Sequence, residues 1–423
     1  MKKIITLILT IFSITIYSQE IETENWTTDL NFLKSELPKK HKNLFSKISK
    51  NEFESGIDKI IKQLDKDTDI ETSIKLYQLI AKIGDSHTSL GTSHITSKRL
   101  ILPLDFMWFK EGLFISGTTK DNYEILDKNL LSINGFKINT IIDSLKTLIV
   151  TENKALINTN SSRLLESNVL LKYFGFSKPN DSAYDLELSD SNGTISQYKL
   201  KEVENDISYR RNVTPMKVNA EKPFYINGSG KNFKEEFFAK EKIYFIQYNK
   251  CISRETIEKY GDKEFAYKEP SFEEFEEKVI KTIENSEIDK LIFDMRFNVG
   301  GSSYLAESLI DKIAATKKIN QKGKLFVVVG NKTFSSAIFN TIYFKEKTKA
   351  IIIGEETGGK PNHFGNVKSF TLPYSKIKVS FSSEFYKLIE DNDTTIVPDV
   401  KIENSYNDYK NGIDPVFEYV KNN

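Results

Sequence analysis

The stretch LFVVVGNKTFSSAIFNTIYF, residues 325–344, decides the fold. Leu325–Val329 is a continuous apolar run, as in a strand covered on both faces. A short polar connection follows, and Ser335–Phe344 reads as a helix. The same alternation extends on both sides. Ala350–Ile353 is another buried strand, and Leu291–Met295 is one upstream, followed by a helical segment over Ser303–Ala315. Farther back, Ile243–Tyr248 alternates like a strand. Ser271 with Glu274 forms a capping box for a helix whose apolar face is Phe272, Phe275, Val279 and Ile283. Strands alternating with helices imply an α/β unit with a mainly parallel sheet and right-handed crossovers.

Upstream of residue 240 the texture changes twice. Over 25–85 the spacing is helical: Phe53, Ile57, Ile60, Ile61 and Leu64 share one face, and Pro38 is expected to break the first helix near Leu37. From about 100 to 205, short apolar stretches alternate with turns, including the hairpin signal Ser191-Asn192-Gly193 and a possible inserted helix over 151–175. The expected organisation is 1–18 as a leader, 19–98 as a helical domain, 99–205 as a β-rich module and 206–423 as the α/β core. Met1–Ser18 has a lysine pair and then an apolar run too short for a span, so it reads as an export signal. An exported chain, periplasmic or secreted, with no stable membrane span after its removal is the expectation.

Composition narrows the function classes. Hydrophobic residues are 39% of the 423, which supports a sizeable core. Lys plus Arg number 60 against 59 Asp plus Glu, so the basic surplus of a nucleic-acid binder is missing. The single cysteine, Cys251, rules out internal disulfides and thiolate zinc clusters and reads as structural.

In open α/β sheets, functional groups gather beyond the carboxyl ends of the strands. Three such ends carry chemistry here: Asn298-Val299-Gly300-Gly301, Asn331–Ser336 and Glu355–Lys360. Ser335 opens a helix after a tight connection, where backbone N–H groups favour developing negative charge. The amide of Ser336 and an amide of Gly300 or Gly301 are candidates for an oxyanion hole. Lys360, on a glycine loop beside apolar strands, could serve as a neutral base if desolvated.

Together these motifs resemble the tail-specific (C-terminal processing) serine peptidases of family S41. The resemblance rests on Asp294-x-Arg296-x-Asn298-x-Gly300-Gly301, Thr333-Phe334-Ser335-Ser336-Ala337 and Gly354-Glu355-x-Thr357-x-Gly359-Lys360. It extends to Ile396-Val397-Pro398-Asp399 near the end and to Gly84-Asp85-Ser86-His87-Thr88 near the start. It implies a ClpP/crotonase-like core and Ser335 as nucleophile, with no cofactor or metal. In the C-terminal processing branch the base is a lysine 25 residues beyond the serine, which falls on Lys360, with Glu346 as the acidic counterpart. The tricorn-like branch uses a histidine preceded by serine, matching Ser86-His87, with a distant acidic residue for which Asp391 or Asp393 would stand. Both bases remain open at this point. His363 could also approach the site, whereas His41 and His94 have no supporting pattern. The β-rich module resembles a PDZ domain, in which Gly112, Leu113 and Phe114 would bind a peptide added as a strand.

These readings imply a serine endopeptidase acting on protein or peptide substrates, exported or unfolded. The alternative is a non-catalytic binding protein of the same fold that carries an apolar ligand or peptide termini. Oligomeric state does not follow from the sequence.

Overall fold

The structure is a computed structural model that describes residues 21–92, 100–150, 152–390 and 394–423. The leader expected at Met1–Ser18, and Asp391, Asp393 and His94, lie outside those residues.

The amphipathic spacing of the N-terminal region produces three helices: α1 (Thr23–Lys40), α2 (Lys50–Ile61) and α3 (Asp69–Ala81). Ser49 caps α2, and Thr68 with Glu71 completes a capping box on α3. Pro38 does not break α1 near Leu37. Its missing N–H costs only a bond in the last turn, and the helix closes when His41 N donates to Leu37 O at 3.0 Å. After α3 the chain turns through Gly84–Thr88 into a two-residue strand, β1 (Ser89–Leu90).

The next region is a β-rich sheet. It contains β2 (Leu104–Phe109), β3 (Gly112–Thr119), β4 (Asn129–Ile133), β5 (Ala183–Ser189), β6 (Ile195–Lys201) and β7 (Val213–Pro215). The order is β7-β3-β4-β5-β6, with β2 also on β3. The helix expected within 151–175 is present as α4 (Lys154–Leu165) and a shorter helix over Asn168–Tyr173. This arrangement corrects the peptide-binding assignment of Gly112, Leu113 and Phe114. Strand β3 runs along β2 on one edge, while β4 and β7 take the other at Phe114 and at Gly117–Thr119. Leu113 and Phe114 are buried, and the Phe114 ring stacks on Tyr406 at 4.5 Å. The backbone groups needed for strand addition are therefore already engaged along most of β3.

The remaining chain builds the α/β core. Its sheet contains β8 (Phe233–Phe238), β9 (Ile243–Tyr248), β10 (Lys290–Asp294), β11 (Leu325–Val329), β12 (Ile351–Gly354) and, last in the chain, a short strand over Val400–Lys401. The first pair is antiparallel and every later pair parallel, as the alternation of strands and helices implied. Period-two side chains serve both faces. One face, with Tyr244, Phe293 and Val327, packs on α5 (Phe272–Asn285) and α6 (Glu307–Ala315). The other, with Phe245, Ile292 and Val328, is covered by Val416 and Val420 of the last helix, over Pro415–Asn422.

Helix α7 (Ser336–Lys347) leaves the end of β11. A long hairpin, β13 (His363–Thr371) with β14 (Lys378–Tyr386), follows β12. Strand β1 pairs with β14 through Ser89–Ser380 and Leu90–Val379. The hydrophobic cluster of α1–α3 includes Leu372, Ile377, Val379 and Phe381 of that hairpin, and runs on into the β-rich sheet through Ile115, Leu186 and Leu200. The turn Gly84–Thr88 is thereby anchored to the α/β core by residues almost 300 positions downstream.

Candidate active site

The three expected strand ends do converge. Asn298 N donates to Met295 O, and Asn298 O accepts from Phe334 N at 3.0 Å, which joins the first loop to the second. Thr333 ties the second loop to its neighbours: its hydroxyl donates to Met295 O, and its carbonyl accepts from the amides of Gly358 and Gly359. Asn298 Nδ2 donates to Tyr248 O. Cys251 is buried below, and its thiol donates to Asn298 Oδ1 at 3.4 Å. Burial pushes that thiol up to about 11, so it is structural packing rather than a nucleophile.

These ties hold Ser335 at φ 53° and ψ −123°, in left-handed backbone that side chains rarely adopt. Such a residue costs about 1–3 kcal/mol and persists only where its surroundings over-determine it. The turn has no room for a larger neighbour. A Cβ on Gly300, itself at φ 101°, would lie 2.8 Å from Ser335 Cβ.

The Ser335 hydroxyl faces a histidine. His87 Nε2 lies 2.9 Å from Ser335 Oγ, although 248 residues separate them. The His87 ring is held between Phe334, stacked at 4.6 Å, and His363, stacked at 5.5 Å. Burial, then the neighbouring His363, lowers the His87 pKa to about 4, against the opposing pull of Asp85. Near neutral pH the imidazole is uncharged. Acceptance from Ser335 at Nε2 requires its proton on Nδ1. Nδ1 has no hydrogen-bond partner among the described residues, and Asp85 Oδ1 lies 3.9 Å away.

Asp85 is buried and heavily bonded. Oδ1 accepts from the His87 amide at 3.0 Å, and Oδ2 accepts from the Thr88 hydroxyl and from His41 Nε2 at 3.0 Å. Burial alone would raise its pKa, but these bonds, led by the one from His41, outweigh it and hold the carboxyl at about 2. A fixed negative charge therefore sits beside the His87 ring.

Candidate oxyanion donors divide. Gly300 N is committed to Asn298 Oδ1 at 2.8 Å, which removes it from that role. The amides of Gly301 and Ser336 have no acceptor among the described residues. Ser336 Oγ donates to Gly301 O at 2.7 Å and so holds the two segments together.

Three expected participants stand elsewhere. Lys360 is half-buried on the loop after β12 and makes no hydrogen bond to Ser335, whose hydroxyl is taken by His87. Glu346 is exposed in the last turn of α7, ten residues beyond Ser336. At 1.5 Å per residue that is about 15 Å along the helix. Ser86 donates its hydroxyl to Glu152 and not to the His87–Ser335 pair. His363 does approach, by stacking on His87. Two contributors were not assigned from sequence: Asp85, quoted only within its motif, and His41. The available signal was scarcity: the chain has four histidines, and three of them meet here.

A serine on a strained strand-to-helix turn, hydrogen-bonded to a neutral histidine beside two unused amides, is the arrangement of the serine hydrolases. Residues 265–401, which carry Ser335 and the glycine pair, match the model of Peptidase family S41. That segment, about a third of the chain, is what is similar to the S41 serine peptidases. No curated protein matches the chain. Among solved structures it is similar to mature CPAF complexed with lactacystin, at 14% identity and a TM-score of 0.63, over 94% of this chain and 98% of that one. It is also similar to mature CPAF, at 15% identity and a TM-score of 0.61, over 94% of this chain and 96% of that one. At such identities the likeness is one of fold. Among the described residues no helix is long and apolar enough to cross a membrane.

Proposed function

We propose that this chain is a serine endopeptidase in which Ser335 is the nucleophile and His87, not Lys360, the general base. The observation that carries the reading is the 2.9 Å contact between His87 Nε2 and Ser335 Oγ, with the imidazole held neutral by burial. Ser335 Oγ attacks the peptide carbonyl carbon and its proton passes to Nε2. The amides of Gly301 and Ser336 receive the developing oxyanion. The Asp85 carboxylate, 3.9 Å from Nδ1, stabilises the imidazolium as it forms. The tetrahedral adduct collapses, Nε2 returns the proton to the leaving amine, and an acyl-enzyme remains. Water, deprotonated by the same nitrogen, then releases the acid and restores Ser335.

The substrates we propose are exported or unfolded polypeptides. Unfolded chain is favoured because a peptide carbonyl must reach Ser335 and His87, both half-buried. Export follows from the reading of Met1–Ser18 as a signal.

The test is digestion of an unfolded generic protein by the full chain beside S335A prepared identically. Cleavage by the first alone supports the reading. Equal cleavage by both removes Ser335 from it. An absence of cleavage by either, under conditions in which the full chain is folded, favours the binding-protein alternative.

A further inference from the structure

His41 has no part in the steps above, yet it is buried one residue pair behind them. Its Nδ1 accepts from the backbone amide of Asn43 at 3.0 Å. That lone pair is used, so the ring proton is on Nε2. Nε2 faces Asp85 Oδ2 at 3.0 Å, and the side chain is wholly removed from solvent. The backbone around the ring is fixed as well. His41 N closes α1 on Leu37 O, Lys42 N donates to Ser382 O of β14 at 2.9 Å, and the Phe364 ring packs against the imidazole at 5.2 Å.

We infer that His41 is a positioning residue for catalysis: its Nε2–H holds the Asp85 carboxylate against the turn that carries His87. This inference rests on the proposed roles of Ser335 and His87. The chemistry is that of a donor behind an acid. Asp85 Oδ1 holds the His87 amide and faces its Nδ1, while Oδ2 is held by His41 and Thr88. Without the His41 donor, a buried anion loses one of its few bonds and turns toward whatever donor remains. The charge opposite the imidazolium and the amide contact that orients the His87 backbone are then lost together. Helix α1 thereby supplies part of the active-site support, which accounts for a buried histidine at its very end.

The test compares H41Q and H41N in the full chain, with the digestion of an unfolded protein followed as kcat and KM. A glutamine amide reaches about the place of Nε2, whereas an asparagine amide reaches only that of Nδ1. The two variants are similar in polarity, so general damage to folding does not distinguish them. H41Q is expected to retain most of kcat, and H41N to lose ~10–100-fold in kcat with KM nearly unchanged, by analogy with the outer-shell groups that orient metal-bound histidines. D85N and the D85N/H41N double variant should then be equally slow, because the second change removes a donor whose acceptor is already altered. Equal activity in H41Q and H41N, or losses that add in the double variant, would overturn the inference. Full activity in S335A or H87A would instead defeat the parent reading, so the two failures are separable.

Discussion

Ser335 and His87 make the residue-scale account open to titration. A histidine held at about 4 is neutral from pH 5 upward, so under the proposed mechanism kcat/KM should be flat through neutrality and fall only on an acid limb near 4. A lysine base would instead make the rate climb through the alkaline range. Stability carries the same signature. The folded pKa lies below the ordinary histidine value of about 6.5. The unfolded chain therefore binds more protons than the native one between those two values. This contribution costs stability as pH falls from about 6.5 toward 4 and is neutral above that window. Denaturant midpoints across pH 4–7, in wild type and H87A, check the sign.

Several residue-level assignments were beyond reach of sequence, for identifiable physical reasons. The spacing from Ser335 to Lys360 suits a lysine base, but spacing along a chain does not say which side chain the hydroxyl faces. His87 reaches it from 248 positions away through the pairing of β1 with β14. Glu346 could have been set aside by helix geometry alone, since it ends the helix that Ser335 begins. The Gly300 amide was a reasonable donor until the Asn298 side chain was seen to occupy it.

Elements were more legible than contacts. Continuous apolar runs such as Leu325–Val329 are buried on both faces and became parallel strands, because only a covered sheet accommodates them. The pairing of β3 was not legible, because period two does not say which edges are taken. The loop after β10 also holds a charged group that motif reading left unexplained. Arg296 donates through Nη1 and Nη2 to the two carboxylate oxygens of Asp414, both at 3.0 Å, and its Nε lies 2.9 Å from Asp294 Oδ2. All three are buried, so the last helix is pinned to the end of the sheet by ions. Removing one partner strands a buried charge. D414A should lower unfolding stability by about 3–5 kcal/mol, the cost usual for breaking such a pair. Urea unfolding of wild type and D414A measures it, and an unchanged midpoint would mean that Arg296 finds other acceptors.

At the scale of the whole molecule, packing crosses the expected division into a helical domain, a β-rich module and a core. One apolar cluster runs from Trp26 and Leu30 in α1 to Leu200 in the β-rich sheet and to Phe381 in the β13–β14 hairpin. The histidine of the site is delivered by the first third of the chain and the serine by the last. Loss of the N-terminal packing should therefore abolish activity together with structure. The chain contains two tryptophans, and Trp26 sits in that cluster. Its fluorescence transition in urea should coincide with the loss of proteolysis. Activity surviving well past the fluorescence change would show the helices to be dispensable.

The most direct test of the central claim sets H87A beside K360A in the full chain, with digestion of an unfolded protein as the readout and S335A as the blank. The account predicts that H87A falls to the level of the blank, a loss of ~10³-fold or more as for the base of a serine–histidine pair, while K360A continues to cleave. Cleavage by H87A together with its loss in K360A would contradict the account and return the base to the lysine.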